Sequence, residues 1–168
     1  MFRIDQIFTN KKIVQKRRIK FTFMDYEKMI IDVADLVHKY FLEIYKKENN
    51  GTRIKITKDK AWIGKHNTNK ADLAKLSYFD LPDDWQHDRR SGSKVALDAV
   101  IKWAKSGKPA DKKFIENVSE KIHKDWLKRN SDRAEEEHKL PYEKLSEKAK
   151  EKDRIFIRAA IKTYNDKL

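Results

Sequence analysis

Trp62 stands in a run of cations, Lys58-Asp59-Lys60-Ala61-Trp62-Ile63-Gly64-Lys65-His66. An indole face among ammonium groups suits a flat base that carries phosphates. The plainer alternative is a tryptophan that pins a basic loop to the core. His38 and His123 occupy matching positions in two helical stretches. Paired histidines are the currency of metal ligation and proton transfer. The simpler reading, a half-buried imidazole bonded to a loop carbonyl, is the one expected here. Tyr78 and Tyr142 read as core anchors with satisfied hydroxyls.

His87-Asp88 is the start of a metal-dependent hydrolase pattern. That chemistry needs further His and Asp ligands on neighbouring helices, and the spacing of His38, His66 and Asp98 supplies none. The chain has no cysteine, which removes thiolate metal sites, disulfides and a cysteine nucleophile. It has no Gly-x-Ser-x-Gly elbow and no phosphate-cradling glycine loop. The expectation is a binding protein without catalytic residues, metal or cofactor.

Composition points to the class of partner. The chain has 168 residues and a net charge of +13, with 40% charged and 39% hydrophobic residues. A polyanion, nucleic acid or a phosphorylated small molecule, is the natural counterpart of such a balance. A lysine-rich solvated surface has the same composition. No apolar run approaches a membrane span and no signal peptide is apparent, so a cytoplasmic protein with no membrane partner is expected.

With only 4 Gly and 3 Pro, the elements that position these residues are helices. Met29, Ile30, Val33, Leu36, Val37, Tyr40, Phe41 and Ile44 mark an amphipathic helix that ends near Asn49-Asn50-Gly51. Ile54 and Ile56 alternate in a lysine-rich loop or short hairpin. Thr68 is placed to cap a short helix carrying Leu73 and Leu76. A longer helix starts at Asp80-Leu81-Pro82, with a kink or break expected at Ser91-Gly92-Ser93, and ends at Ser106-Gly107-Lys108-Pro109. Phe114, Val118, Ile122 and Trp126 recur at i+4 in the next helix, and Ser146 caps the last. Residues 1–24 form a basic segment in which Ile19, Phe21 and Phe23 alternate like a short strand. Its cluster Lys16-Arg17-Arg18 can also serve as a nucleic-acid arm.

The order of motifs repeats. Val33 to Lys39 aligns with Val118 to Lys124, placing His38 on His123 and Phe41 on Trp126. Lys75-Leu76-Ser77-Tyr78 aligns with Lys139-Leu140-Pro141-Tyr142, Leu81 with Leu145, and Asp88-Arg89 with Asp153-Arg154. The Asp-Arg pairs then read as structural ties between helices. Residues 25–107 and 110–168 emerge as two copies of a helix, loop, Leu-x-Tyr segment and second helix. They are expected to pack about a pseudo-twofold axis as one compact, mainly α domain.

The second copy resembles the ryanodine-receptor repeat, or RyR domain. The resemblance rests on Ile122-His123-Lys124-Asp125-Trp126, on His138-Lys-Leu-Pro141-Tyr142-Glu-Lys-Leu145 and on Asp153-Arg154. From about residue 25 the chain is also similar to small prokaryotic and phage proteins that carry this domain, through Leu81-Pro82-Asp83-Asp84-Trp85-Gln86. The resemblance implies a cleft between repeats that holds a nucleotide or ADP-ribose-like anion against loop tryptophans. The second copy has Ser131-Asp132-Arg133-Ala134-Glu135 where the family has its Gly-Trp loop, so the implied stacking platform is one-sided. Trp62 would stack there, and Lys58, Lys60, His66, Arg133 and His138 would surround the phosphates. The alternatives are a nucleic-acid-binding protein and a protein-interaction module.

Overall fold

The computed structural model describes residues 22–48, 50–132 and 134–167. Residues 1–21 and Arg133, and with them most of the expected strand around Ile19, lie outside that set; Phe23 opens a helix. The architecture is mainly helical, with five α-helices and one two-stranded antiparallel sheet among the described residues. Helix α1 spans Phe23–Glu48. Its start is fixed by a reciprocal box: the Asp25 amide donates to Thr22 Oγ1 at 3.1 Å and the Thr22 amide to Asp25 Oδ2 at 3.0 Å. It stops where Asn50 and Gly51 take positive φ values of 51° and 73°.

An excursion follows: strand β1 (Ile54–Ile56), helix α2 (Lys60–His66) and strand β2 (Lys70–Asp72). Trp62 therefore lies on a helix and not in a loop. The helix expected after Thr68 is absent, because residues 70–72 pair with β1 and Thr68 only turns the chain, accepting from the Lys70 amide at 3.1 Å. Asp59 caps two helices at once. Its Oδ1 accepts from the Trp62 amide at 3.0 Å, at the start of α2. Its Oδ2 accepts from the Asp83 amide at 2.9 Å. Asp83 begins α3 (Asp83–Ala104), whose own cap position, Pro82, offers no side-chain acceptor.

Helix α3 runs without a break through Ser91-Gly92-Ser93. Gly92 is there for space. A Cβ on it would lie 2.6 Å from the ring of Phe156 on α5 (Glu147–Asp166). Helix α4 (Lys112–Asn130) is capped by Asp111, which accepts from the Phe114 amide at 2.7 Å. Ser146 caps α5, accepting from the Ala149 amide at 3.2 Å.

α3 and α5 touch each other, and α1 and α4 each touch both. Exchanging α1 with α4 and α3 with α5 leaves that set of contacts unchanged. α1 is antiparallel to α3, since Tyr26 reaches Asp98 while Tyr45 meets Arg89. It is antiparallel to α5 as well, through Glu48 with Lys148 and Asp32 with Lys167. α4 is antiparallel to α3, with Phe114 stacked on Trp103 and Asn130 on Asp88. The start of α1, the end of α3, the start of α4 and the end of α5 thus share one end of the bundle. The excursion and the chain from 131 to 146 sit at the other.

Burial matches position by position between α1 and α4: Val33 with Val118, Ala34 with Ser119, Val37 with Ile122, and His38 with His123. Each helix pair is joined through a 3-10 turn that starts at tyrosine, Tyr78–Asp80 and Tyr142–Lys144, and ends on leucine. Because α3 and α5 are both unbroken from their caps, counting from those turns places Asp88 on Lys152, Arg89 on Asp153 and Arg90 on Arg154. The Asp-Arg correspondence read from sequence is one residue out of register. The ion pairs agree with the corrected count: Arg90 reaches Asp83 at 3.4 Å as Arg154 reaches Glu147 at 2.8 Å, each one helical face and seven residues back. The same count sets Gly92 opposite its own equivalent, Phe156.

Replacing Gly92 by Ala is expected to destabilise the fold by about 1–2 kcal/mol, because overpacking outweighs the helix propensity gained. In a Phe156→Leu background, where the ring is gone, the same substitution is expected to be neutral or stabilising; chemical denaturation of the four variants measures the coupling.

Candidate functional site

The two histidines do the same mechanical job. His38 Nε2 bonds the Leu76 carbonyl at 2.9 Å and His123 Nε2 bonds the Leu140 carbonyl at 2.9 Å. Each bond holds the residue two before the turn tyrosine against the preceding helix. The other ring nitrogens differ. His123 Nδ1 faces Asp153 Oδ2 at 3.4 Å, whereas His38 Nδ1 is buried without a partner. The equivalent of Asp153 is Arg89, a cation. Burial therefore drives His38 down to about 4, the Leu76 bond opposes this, and Arg89 adds to it. Burial also pulls His123 down, but Asp153 and the Leu140 carbonyl outweigh it and its pKa is raised.

The turn tyrosines differ in the same way. Tyr142 donates to Glu116 Oε2 at 2.9 Å, and Arg154 grips Glu116 through two bonds of 2.8 and 2.9 Å. Glu116 corresponds to Ile31, and Tyr78 Oη is buried without a partner. The satisfied hydroxyl expected at Tyr78 is not there. Arg89 lies over the Phe41 ring at 4.0 Å and donates to Tyr45 at 3.2 Å. Arg154 thus ties α5 to α4, and Arg89 ties α3 to α1, by different partners.

A groove of about 340 Å³ opens between the helix pairs, lined by the start of α3, the end of α4 and Lys58. Asp83, Asp84, Asp88 and Asp132 face Lys58, Arg129 and His87 there, and no Phe, Tyr or Trp among the described residues lines it. A positively charged, partly aromatic lining was expected. The sign is reversed because the turn after Leu81 places Asp83 and Asp84 at the helix start, where carboxylates complement the helix dipole. Most of these carboxylates are engaged. Asp84 accepts from Thr57 Oγ1 at 2.6 Å and the Lys58 amide at 3.1 Å, Asp88 from Asn130 at 3.0 Å, and Asp132 meets Lys58 at 3.6 Å.

The residues expected around a phosphate do not converge. Among the described ones, Lys58 alone lines the groove. His66 stacks on Trp62, with centroids 4.0 Å apart, and so covers one indole face, while Trp62 packs against the main core. Lys60 is exposed on α2. His138 lies beside Glu135 and Glu137 at 3.8 and 3.6 Å, edge-on to Trp126. Trp85 donates to the Ile56 carbonyl at 3.2 Å, so Leu81 to Gln86 serves to dock the excursion on α3.

The sequence reading missed Arg53 and Lys55. The isoleucines beside them, Ile54 and Ile56, are 61% and 51% exposed, and Lys55 turns inward toward Glu135 at 3.2 Å. The alternation was visible, but its apolar members face out. Five further cations, Lys102, Lys105, Lys108, Lys112 and Lys113, surround the α3–α4 connection. All are exposed and none has a carboxylate within 4.0 Å among the described residues.

No protein-family model matches this chain, and neither the curated proteins nor the solved structures contain a match. No helix among the described residues is long and apolar enough to cross a membrane.

The two histidines predict opposite pH effects. His38 has a folded value below its ordinary 6.5, so the unfolded chain takes up the proton first and stability falls as pH drops from 6.5 toward about 4. His123, raised, adds stability that is present below its ordinary value and lost as pH climbs through the raised one. His38→Gln, which keeps a donor for Leu76, should recover about 1–2 kcal/mol of the loss between pH 7 and pH 5 in urea melts. His123→Gln should recover none of that loss and should make the acid side steeper.

Proposed function

We propose that this is a non-catalytic binding protein for a polyanion, nucleic acid in particular, and that it binds through the end of the bundle where α3 turns into α4. The observation that carries this is the set of five exposed lysines at 102, 105, 108, 112 and 113, none with a carboxylate within 4.0 Å among the described residues. Asp111 is the one carboxylate in that connection, and it is occupied in capping α4. Thr22, at the start of α1, lies at the same end, and residues 1–21 precede it in the sequence. They contain seven Lys and Arg against Asp5 alone. Lys60, Lys65 and Lys70 of the excursion are exposed and without a carboxylate within 4.0 Å among the described residues as well, so the α3–α4 end is set apart by the close sequence spacing of its five lysines, and clustered charge of that kind is what counterion release rewards.

A nucleotide in the groove between the helix pairs is the weaker reading. Four carboxylates there oppose phosphates, and the Trp62 face is shared with His66. We further propose that the two helix pairs are diverged copies of one unit similar to the ryanodine-receptor repeat. Support comes from the paired histidine-to-carbonyl bonds, the tyrosine turns and the Arg90–Asp83 and Arg154–Glu147 pairs at equivalent positions. A shared unit says nothing by itself about the ligand.

Binding to short duplex DNA and short RNA, followed by anisotropy over a range of salt, tests the polyanion reading. The expected outcome is a log-log salt slope that falls by about 2–3 when Lys105, Lys108 and Lys112 are changed together to Gln. The triple change Lys58, Lys60 and Lys65 to Gln is expected to leave the slope unaltered. Absence of binding to either nucleic acid at low salt, or equal effects of the two triple variants, overturns it.

A further inference from the structure

At the opposite end of the bundle, one carboxylate is held from three sides. Glu135 Oε1 takes Lys55 at 3.2 Å and Arg53 at 3.8 Å, and its Oε2 faces His138 Nδ1 at 3.8 Å. Arg53 and Lys55 come from β1 of the excursion. Glu135 and His138 come from the chain between α4 and α5. The contact therefore joins the two halves of the molecule. All three nitrogen-bearing groups are mostly covered, with side-chain exposures of 28%, 29% and 16%, while Glu135 is 53% exposed.

A further cation, Lys152, acts on the cluster through its charge. Lys152, on the first turns of α5, is half-buried and has no carboxylate within 4.0 Å among the described residues. Burial and then the charge of Arg53 push its pKa down, and burial and then Lys152 do the same to His138. Arg53 and Lys152 oppose each other's charge, while Glu48 and Glu137 act favourably on Lys152 without coming within 4.0 Å of it. A half-buried ammonium with no carboxylate in direct contact is expensive unless an anion shares its site. Glu135, Glu137 and His138 also bring ligand atoms within 4.8 Å of one another. A divalent metal ion there would have to displace Lys55 and Arg53 from Glu135 and face Lys152 as well, so the local charge has the wrong sign for one.

We propose that Arg53, Lys55, His138 and Lys152 form a binding site for a phosphate-type oxyanion, a phosphomonoester or diphosphate group, whose place is taken by the Glu135 carboxylate when no such anion is bound. A phosphate carries more charge than a carboxylate and has an additional oxygen to offer. It can meet Lys152 while keeping the donors that Glu135 now uses. Binding would swing Glu135 out to solvent, where it is already half exposed. The site is distinct from the lysine end and rests on a different observation, so either can stand without the other.

Titration with inorganic phosphate and with pyrophosphate, by calorimetry and by NMR of the His138 imidazole, tests the site. The wild type should bind saturably, with the His138 pKa moving up in the complex. Glu135→Gln removes the resident competitor and should tighten binding about fivefold or more, whereas Lys152→Met should weaken it about tenfold. Lys105→Met, at the far end, should change nothing, and thermal melts check that each variant is folded. The proposal is overturned if wild type and Glu135→Gln both fail to bind at millimolar anion. It is equally overturned if Glu135→Gln weakens binding, or if Lys105→Met acts as strongly as Lys152→Met.

Discussion

Phe156 and a side chain at residue 92 cannot occupy the same space, and the fold is arranged around that fact. Where α3 and α5 cross, the position on α5 carries a phenyl ring and the equivalent position on α3 carries only hydrogen. The backbone of α3 can therefore close on the ring, and Phe41 of α1 meets the same ring edge-on. A helical glycine costs about 1 kcal/mol of propensity against alanine, which the burial of a whole aromatic ring outweighs. With the central pair fixed, α1 and α4 each find a groove made by both central helices.

Around this crossing the two halves share mechanics but not electrostatics. The same imidazole-to-carbonyl bond fastens each tyrosine turn. In the second half Asp153 serves His123, and Glu116 serves both Tyr142 and Arg154. In the first half Ile31 and Arg89 stand in for those two acids, and His38 Nδ1, Tyr78 Oη and Arg89 Nε are left without partners. Buried groups of that kind each cost stability. The second helix pair is thus the better-satisfied one, and the first depends more heavily on its apolar contacts and on the cation over Phe41.

The helices were legible because their apolar spacing and caps are strong local signals. The i+4 run from Phe114 to Trp126 and the Ser146 cap are examples. The kink expected at Ser91-Gly92-Ser93 did not occur, since glycine weakens a helix by propensity while the demand for space on α3 is tertiary. The Thr68 helix failed for a related reason: Leu73 and Leu76 have helical spacing, but the chain between 70 and 72 is recruited by β1. The one-residue slip in the Asp-Arg correspondence came from matching residue types across helices that admit no insertion. The groove's charge was the largest miss. Composition gives the sum of the charges, and only the fold separates four aspartates at one end of the bundle from five lysines at the other.

The groove's four aspartates and the five exposed lysines of the α3–α4 connection therefore lie at opposite ends of the bundle. The most direct measurement is the backbone amide NMR spectrum of the isotopically labelled protein during addition of a short nucleic acid at moderate salt. Shifts confined to residues near Thr22, Lys102 to Lys113 and the end of α5 are the predicted result. Shifts centred on Lys58, Asp84 and Arg129 instead, with the α3–α4 connection silent, would contradict the account.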